Sequence, residues 1–153
     1  MLFRSCIGTM VLLIAVVGSS FMASYLKADW ALGLLINAAV TAATLGIIIK
    51  VGAPVSGAHF NPVVTLANVL LRKIGIIPAI QYFFSQICGA ALGVIIANAM
   101  FSSTIIGNSS INRTGSGLFL AEIVATTGLV YLALTSTRSE EHTSELQSHS
   151  FIS

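Results

Sequence analysis

Three polar side chains stand in this sequence where apolar surroundings make them costly. Asn61 and His59 lie in the stretch Ser56-Gly57-Ala58-His59-Phe60-Asn61-Pro62-Val63-Val64-Thr65-Leu66-Ala67, and Glu122 lies within an apolar run that begins at Gly117. No nucleophile–base pair, metal-ligand cluster or phosphate-binding glycine loop accompanies them. No catalytic residue, metal or cofactor is therefore expected. The chemistry that remains is hydrogen bonding in a dry place. The Asn61 amide can donate to a passing water or hydroxyl oxygen. The carbonyls of Gly57, Ala58 and His59 lack helical partners there and can accept. His59 is expected near one mouth of such a path, and Phe60 reads as a packing wedge.

The element that must position these groups is too short to cross a bilayer. From Val63 to Leu71 the apolar run is roughly 14 Å of helix, against roughly 30 Å of hydrocarbon. Asn61 fits the N-cap and Pro62 the first turn, so a half-helix is expected over about 62–71, ended by Arg72 and Lys73. Pro54 and Gly57 are expected to break any helix arriving from the preceding span. A half-length helix that follows a glycine loop suggests a re-entrant segment lining a polar route.

Around it lie segments long enough to span. The chain has 153 residues, 56% of them hydrophobic and 8% charged. A soluble domain carries about 25% charged residues, so the expected class is an all-α integral membrane protein. Spans are expected over about 6–26, 31–49, 78–101 and 117–135. Asn37, Thr41 and Thr44 are polar members of the second span, and Asn37 should face protein or a cavity. The two threonines are expected to bond carbonyls of their own helix. Ala38, Ala42 and Gly46 form a small-residue stripe, and Gly89 and Gly93 form a GxxxG pair in the third span. Glu122 is expected to brace a neighbouring loop by accepting backbone hydrogen bonds. Cys6 and Cys88 read as small buried hydrophobes.

The six basic residues before Arg138 are too few and too scattered to read as a nucleic-acid surface. With the N-terminus in the cytoplasm, Arg4, Lys50, Arg72, Lys73 and Arg138 fall inside, and Lys27 and Arg113 outside. Residues 138–153 are polar, lack an apolar period and resemble a translated sequencing adapter. They are set apart from the membrane domain, 1–137.

The stretch from Ser56 to Thr65 resembles the first signature loop of the aquaporin and aquaglyceroporin family, the major intrinsic proteins. Gly8-Thr9 resembles the family's first helix, Gln86 with Gly89-Ala90 its third, and Ala121-Glu122 with Thr126 its fourth. The resemblance implies an inverted-repeat helical bundle of which this sequence carries the first repeat and the first helix of the second. It also implies a cell-membrane protein, homotetrameric in the lipid bilayer, that passes water or small neutral solutes. Asn61, Pro62, Val63, His59, Gly57 and Ala58 would line its path, and Gln86 and Glu122 would support it. The family's filter position falls on Thr41. A residue that small implies a wide constriction, open to glycerol-like solutes or metalloid hydroxides. Val63 stands where the family usually has alanine. Ser5 stands where it usually has a glutamate, which implies a missing or shifted brace. The second half-helix is absent from this sequence, so the fragment alone is not expected to conduct.

Two other readings use the same residues. One is an ion-coupled carrier or membrane enzyme built on Glu122, for which no second buried charge is present. The other is a non-transporting helix bundle, or a half-length protein that dimerises.

Overall fold

The computed structural model describes residues 1–56, 59–103 and 115–150. They form five helices: α1 (Leu2–Tyr25), α2 (Trp30–Ser56), α3 (Pro62–Leu70), α4 (Ile76–Met100) and α5 (Ser116–Ser150). Four segments are long and apolar enough to cross a membrane: Leu2–Tyr25, Trp30–Gly52, Ile76–Met100 and Ser116–Ala133. The short helix α3 has nine residues. The chain is thus an all-α, multi-pass membrane protein.

Close backbone approach joins α1 to α4. A Cβ on Gly89 would overlap the Cys6 carbonyl, and one on Gly93 would press on the backbone of Met10. Ser85 Oγ donates to the Leu2 carbonyl at 2.6 Å. The three pairs, 85 with 2, 89 with 6 and 93 with 10, share one offset and advance by four. The two helices therefore run parallel in one register, and glycine at 89 and 93 lets their backbones touch. At the far end Phe101 stacks on Phe21 with ring centres 5.2 Å apart.

Three helix ends reverse the chain in the same way. Lys27, Arg72 and Ser102 are left-handed, with φ of 53°, 57° and 52°. The following amide reaches back five residues each time: Ala28 to Ala23, Lys73 to Asn68 and Ser103 to Asn98, at 3.0, 2.9 and 2.9 Å. This is the Schellman arrangement, which satisfies carbonyls left open at a helix C-terminus. Asp29 then caps α2, its Oδ1 accepting from the Leu32 amide at 2.8 Å.

Three local expectations are corrected. Helix α2 does not stop before Pro54 but runs to Ser56. A proline removes one amide donor, and the amides beyond it still find their carbonyls. Ala38, Ala42 and Gly46 are exposed, and a Cβ on Gly46 would meet nothing within 4 Å, so this stripe packs no helix among the described residues. Cys88 is exposed on α4 and Cys6 half-buried, both as free thiols. The fourth span, Ser116–Ala133, lies where it is expected, and α5 continues beyond it to Ser150. Residues 138–150 contain no glycine or proline, so nothing in their composition ends the helix.

Candidate functional site

The half-helix begins as its sequence requires. Asn61 is the N-cap in extended conformation, and its Oδ1 accepts from the Val63 amide at 2.8 Å. Pro62 occupies the first turn, where its missing N–H leaves nothing unpaired. The cap settles which way the amide points. Its acceptor is engaged by the helix, so its nitrogen faces away as a donor. Among the described residues Nδ2 has no partner. The amides of Val63 and Thr65 are both taken up by Asn61, and the same end of α3 carries about half a positive charge from the helix dipole.

One face of α3 is sealed against the protein and the other is open. Val64, Thr65 and Asn68 are buried. Val63 is 41% exposed, and Leu66 and Leu70 are exposed beside it. Pro62 and Val63 therefore stand with Asn61 on the open side.

What holds the loop in front of α3 is a network of neutral side chains. The His59 carbonyl accepts from Ser5 Oγ on α1. It also accepts from Gln86 Nε2 on α4 at 2.9 Å. The Phe60 carbonyl accepts from Thr9 Oγ1 at 3.3 Å. Gln86 spends its second proton on Thr65 Oγ1 at 3.0 Å. The Thr65 hydroxyl donates to the Asn61 carbonyl at 3.2 Å. With its one proton used, Thr65 accepts from His59 Nδ1 at 3.2 Å, which puts the imidazole proton on Nδ1. Gln86 is 2% exposed and Ser5 fully buried.

His59 is itself packed, 5% exposed and stacked on Tyr82 with ring centres 4.5 Å apart. It lies outside the four spans, and burial pushes its pKa below the ordinary histidine value, which favours the neutral ring. Phe60 is the wedge the sequence suggests. A Cβ on Gly8 or on Gly52 would overlap its ring, so two glycines on two helices make its slot.

Several expectations change here. The His59 carbonyl is not a free acceptor, because Ser5 and Gln86 take it up. Nor is the first-repeat brace missing: Ser5 supplies it with a hydroxyl at the glutamate's place. The shorter group reaches because α1 is drawn close to α4 at Gly89. Thr41 is half-buried, and its Oγ1 is buried with no hydrogen bond, so it does not bond back to its helix. Glu122 is exposed on α5 and makes no hydrogen bond among the described residues. Gly57 and Ala58 lie outside the described residues. Sequence reasoning passed over Ser5, Thr9 and Thr65 as donors to the loop. The signal for the first two was present as hydroxyls four apart on one face of α1.

The family model described as Major intrinsic protein matches residues 2–151. The chain is 39% identical over 141 residues to "Aquaglyceroporin AqpS" of Rhizobium meliloti (strain 1021), covering 90% of this chain and 60% of that protein. It is 31% identical over 93 residues to "Glycerol uptake facilitator protein-like 6" of Lactiplantibacillus plantarum, covering 58% and 43%. It is 31% identical over 131 residues to "Probable aquaporin TIP2-2" of Oryza sativa subsp. japonica, covering 82% and 52%. The chain thus spans about half the length of the curated relatives it matches. No solved structure matches it.

Proposed function

The chain belongs to the major intrinsic protein family, and from that premise we propose that it is the first half of a passive channel for water and small neutral solutes. The observation that carries this is the capped Asn61. Its acceptor is committed to the Val63 amide at 2.8 Å, which leaves a donor on the open side of a half-helix. Such a donor gives one hydrogen bond to the oxygen of each passing water or hydroxyl. Together with the positive end of α3 it disfavours cations and interrupts a chain of proton-passing waters.

In this reading residues 1–137 form the membrane domain, and 138–153 are a tail foreign to it. The complete protein supplies a second half-helix against the open face of Pro62 and Val63. Thr41 is the outer constriction, wide enough for glycerol-like solutes or neutral metalloid hydroxides. The name of the aquaglyceroporin relative supports the wider choice. Glu122 and Thr126 repeat the four-residue spacing of Ser5 and Thr9, and they brace the second loop as that pair braces the first. The complete protein sits in the cell membrane with its N-terminus in the cytoplasm and assembles as a homotetramer.

Two measurements test the reading. The genomic reading frame past codon 137 should encode two more spans and a second Asn-Pro half-helix. A stop codon directly after the fourth span would sink the proposal. In proteoliposomes of the complete protein, vesicles shrunk in glycerol should re-swell as glycerol enters. Shrinkage without re-swelling would refute the wide constriction.

A further inference from the structure

A second polar cluster lies outside the loop network, between α1 and α2. Asn37 Nδ2 reaches the Val16 carbonyl at 2.7 Å. It also lies 3.0 Å from Ser19 Oγ and 2.9 Å from Ser20 Oγ. Both serine hydroxyls donate to the same Val16 carbonyl at 3.1 Å. The two N–H protons of Asn37 are shared among Val16 O, Ser19 Oγ and Ser20 Oγ, which ties α2 to one turn of α1.

Around this cluster α2 packs on α1 through half-buried apolar side chains such as Ile36 and Val40, and Asn37 adds the directional contact. No α2 residue before Gly52 is fully buried. Its small-residue stripe is exposed, and a Cβ on Gly33 would meet only the Ala23 side chain, at 3.7 Å. The firm grip lies far along the helix, where Gly52 holds Phe60. Residues 37 and 52 are about 22 Å apart along the axis. Thr41 stands one turn from Asn37, displaced by about 6 Å along the axis and about 40° around it. The Thr41 hydroxyl anchors nothing, since its buried oxygen has no partner. Asn37 therefore supplies the hydrogen-bonded, directional part of the packing at this turn of α2.

We propose that Asn37 is a positioning residue for the constriction at Thr41: its clamp on Val16, Ser19 and Ser20 fixes the rotation of α2, and through it which solutes pass. The proposal rests on the reading of Thr41 as the constriction. Asn37 touches no solute. It works by tying one α2 turn to a carbonyl of α1 that cannot move without unwinding that helix.

The test uses the complete protein in proteoliposomes, with stopped-flow permeability to water, glycerol and erythritol. Asn37→Leu keeps the number and branching of heavy atoms and removes the donor. It should lower the glycerol-to-erythritol ratio by about threefold or more, the size expected of one interhelical hydrogen bond in a bundle, with water flux largely kept. An unchanged ratio overturns the proposal. So does a uniform fall in all three fluxes, which marks a merely structural role. Thr41→Phe is the control for the underlying reading and should abolish glycerol flux. If it leaves glycerol untouched, the constriction is elsewhere, whatever Asn37→Leu does. Should Asn37→Leu fail to assemble, Ser19→Ala with Ser20→Ala removes two of the three acceptors. That variant must lower the ratio in the same direction, and no change in it is a refutation.

Discussion

Gln86 and His59, 27 positions apart, are joined by a 2.9 Å hydrogen bond from the Gln86 amide to the His59 carbonyl. Ser5 takes the other lone pair of that carbonyl from a second helix. One oxygen thus ties the loop to α1 and α4 together. Removing either donor leaves the carbonyl with one partner, and removing both leaves a buried orphan at a cost of about 1–3 kcal/mol. Ser5→Ala and Gln86→Leu should therefore be non-additive. The double variant should lose about 0.5–3 kcal/mol more than the two single losses combined. Chemical denaturation in detergent, run as a double-mutant cycle, measures that coupling. Simple additivity would mean that the two donors act on separate features.

In the proposed channel Asn61 has two duties, the N-cap and the donor, and one substitution separates them. Aspartate accepts from the Val63 amide as asparagine does, so Asn61→Asp keeps the N-cap, and the change in cap energy should stay within about 0.5 kcal/mol. It has no amide donor and adds an acceptor charge on the open side of α3. Water flux of the complete protein should fall by about tenfold or more, the size of losing one placed donor together with a new charge in a dry site. Stopped-flow light scattering and thermal melting, taken on one preparation, give both quantities. A melting loss with normal flux would reverse the two assignments.

Phe60 is held by absences of side chain at Gly8 and Gly52. Phe60→Ala should cost about 3–5 kcal/mol, the usual price of emptying a buried aromatic site. Gly8→Val should be at least as harmful, because its branched carbons fall on the ring. The pair Gly8→Val with Phe60→Ala should recover part of the loss, since the new methyls enter the emptied slot. Folded yield by size-exclusion chromatography reports the order of the three variants. A double variant worse than both singles would show that the slot is not shared.

The register of α1 on α4 gives a paired control. Gly89→Val puts carbon onto the Cys6 backbone and should abolish a monodisperse folded species. Gly46→Ala meets open space and should be neutral or stabilising by about 0.5–1 kcal/mol, the helical advantage of alanine over glycine. Equal behaviour of the two would remove the close α1–α4 approach as the basis of the fold.

The four spans, the half-helix and its cap were legible in the sequence because each is a local matter. Twenty apolar residues need no partner to declare that they belong in lipid, and Asn-Pro before a short apolar run specifies a helix start within four residues. The wedge role of Phe60 was also within reach, because a large ring beside a glycine-rich loop has few other uses. The limits of α2 were not. Proline weakens a helix without stopping it, and what lies beyond decides whether the next turn forms. The small-residue stripe of α2 and the GxxxG pair of α4 look alike as strings, yet only the second meets another backbone.

The sequence by itself determined that this chain lies in a membrane, that it carries a half-length helix opening on Asn61, and that the apolar face of that helix continues past Pro62. Those facts follow from composition, length and capping, which act over a few residues. Only the tertiary structure decided what the polar groups do. It committed the His59 carbonyl to Ser5 and Gln86, spent the Thr65 proton on Asn61, left the Thr41 hydroxyl unpaired and made Asn37 the tie between α1 and α2. A hydrogen bond depends on which helix stands opposite and at what register. Here that register was set by the touching backbones at Gly89 and Gly93, which align Ser5 and Gln86 beside them on the distant His59 carbonyl.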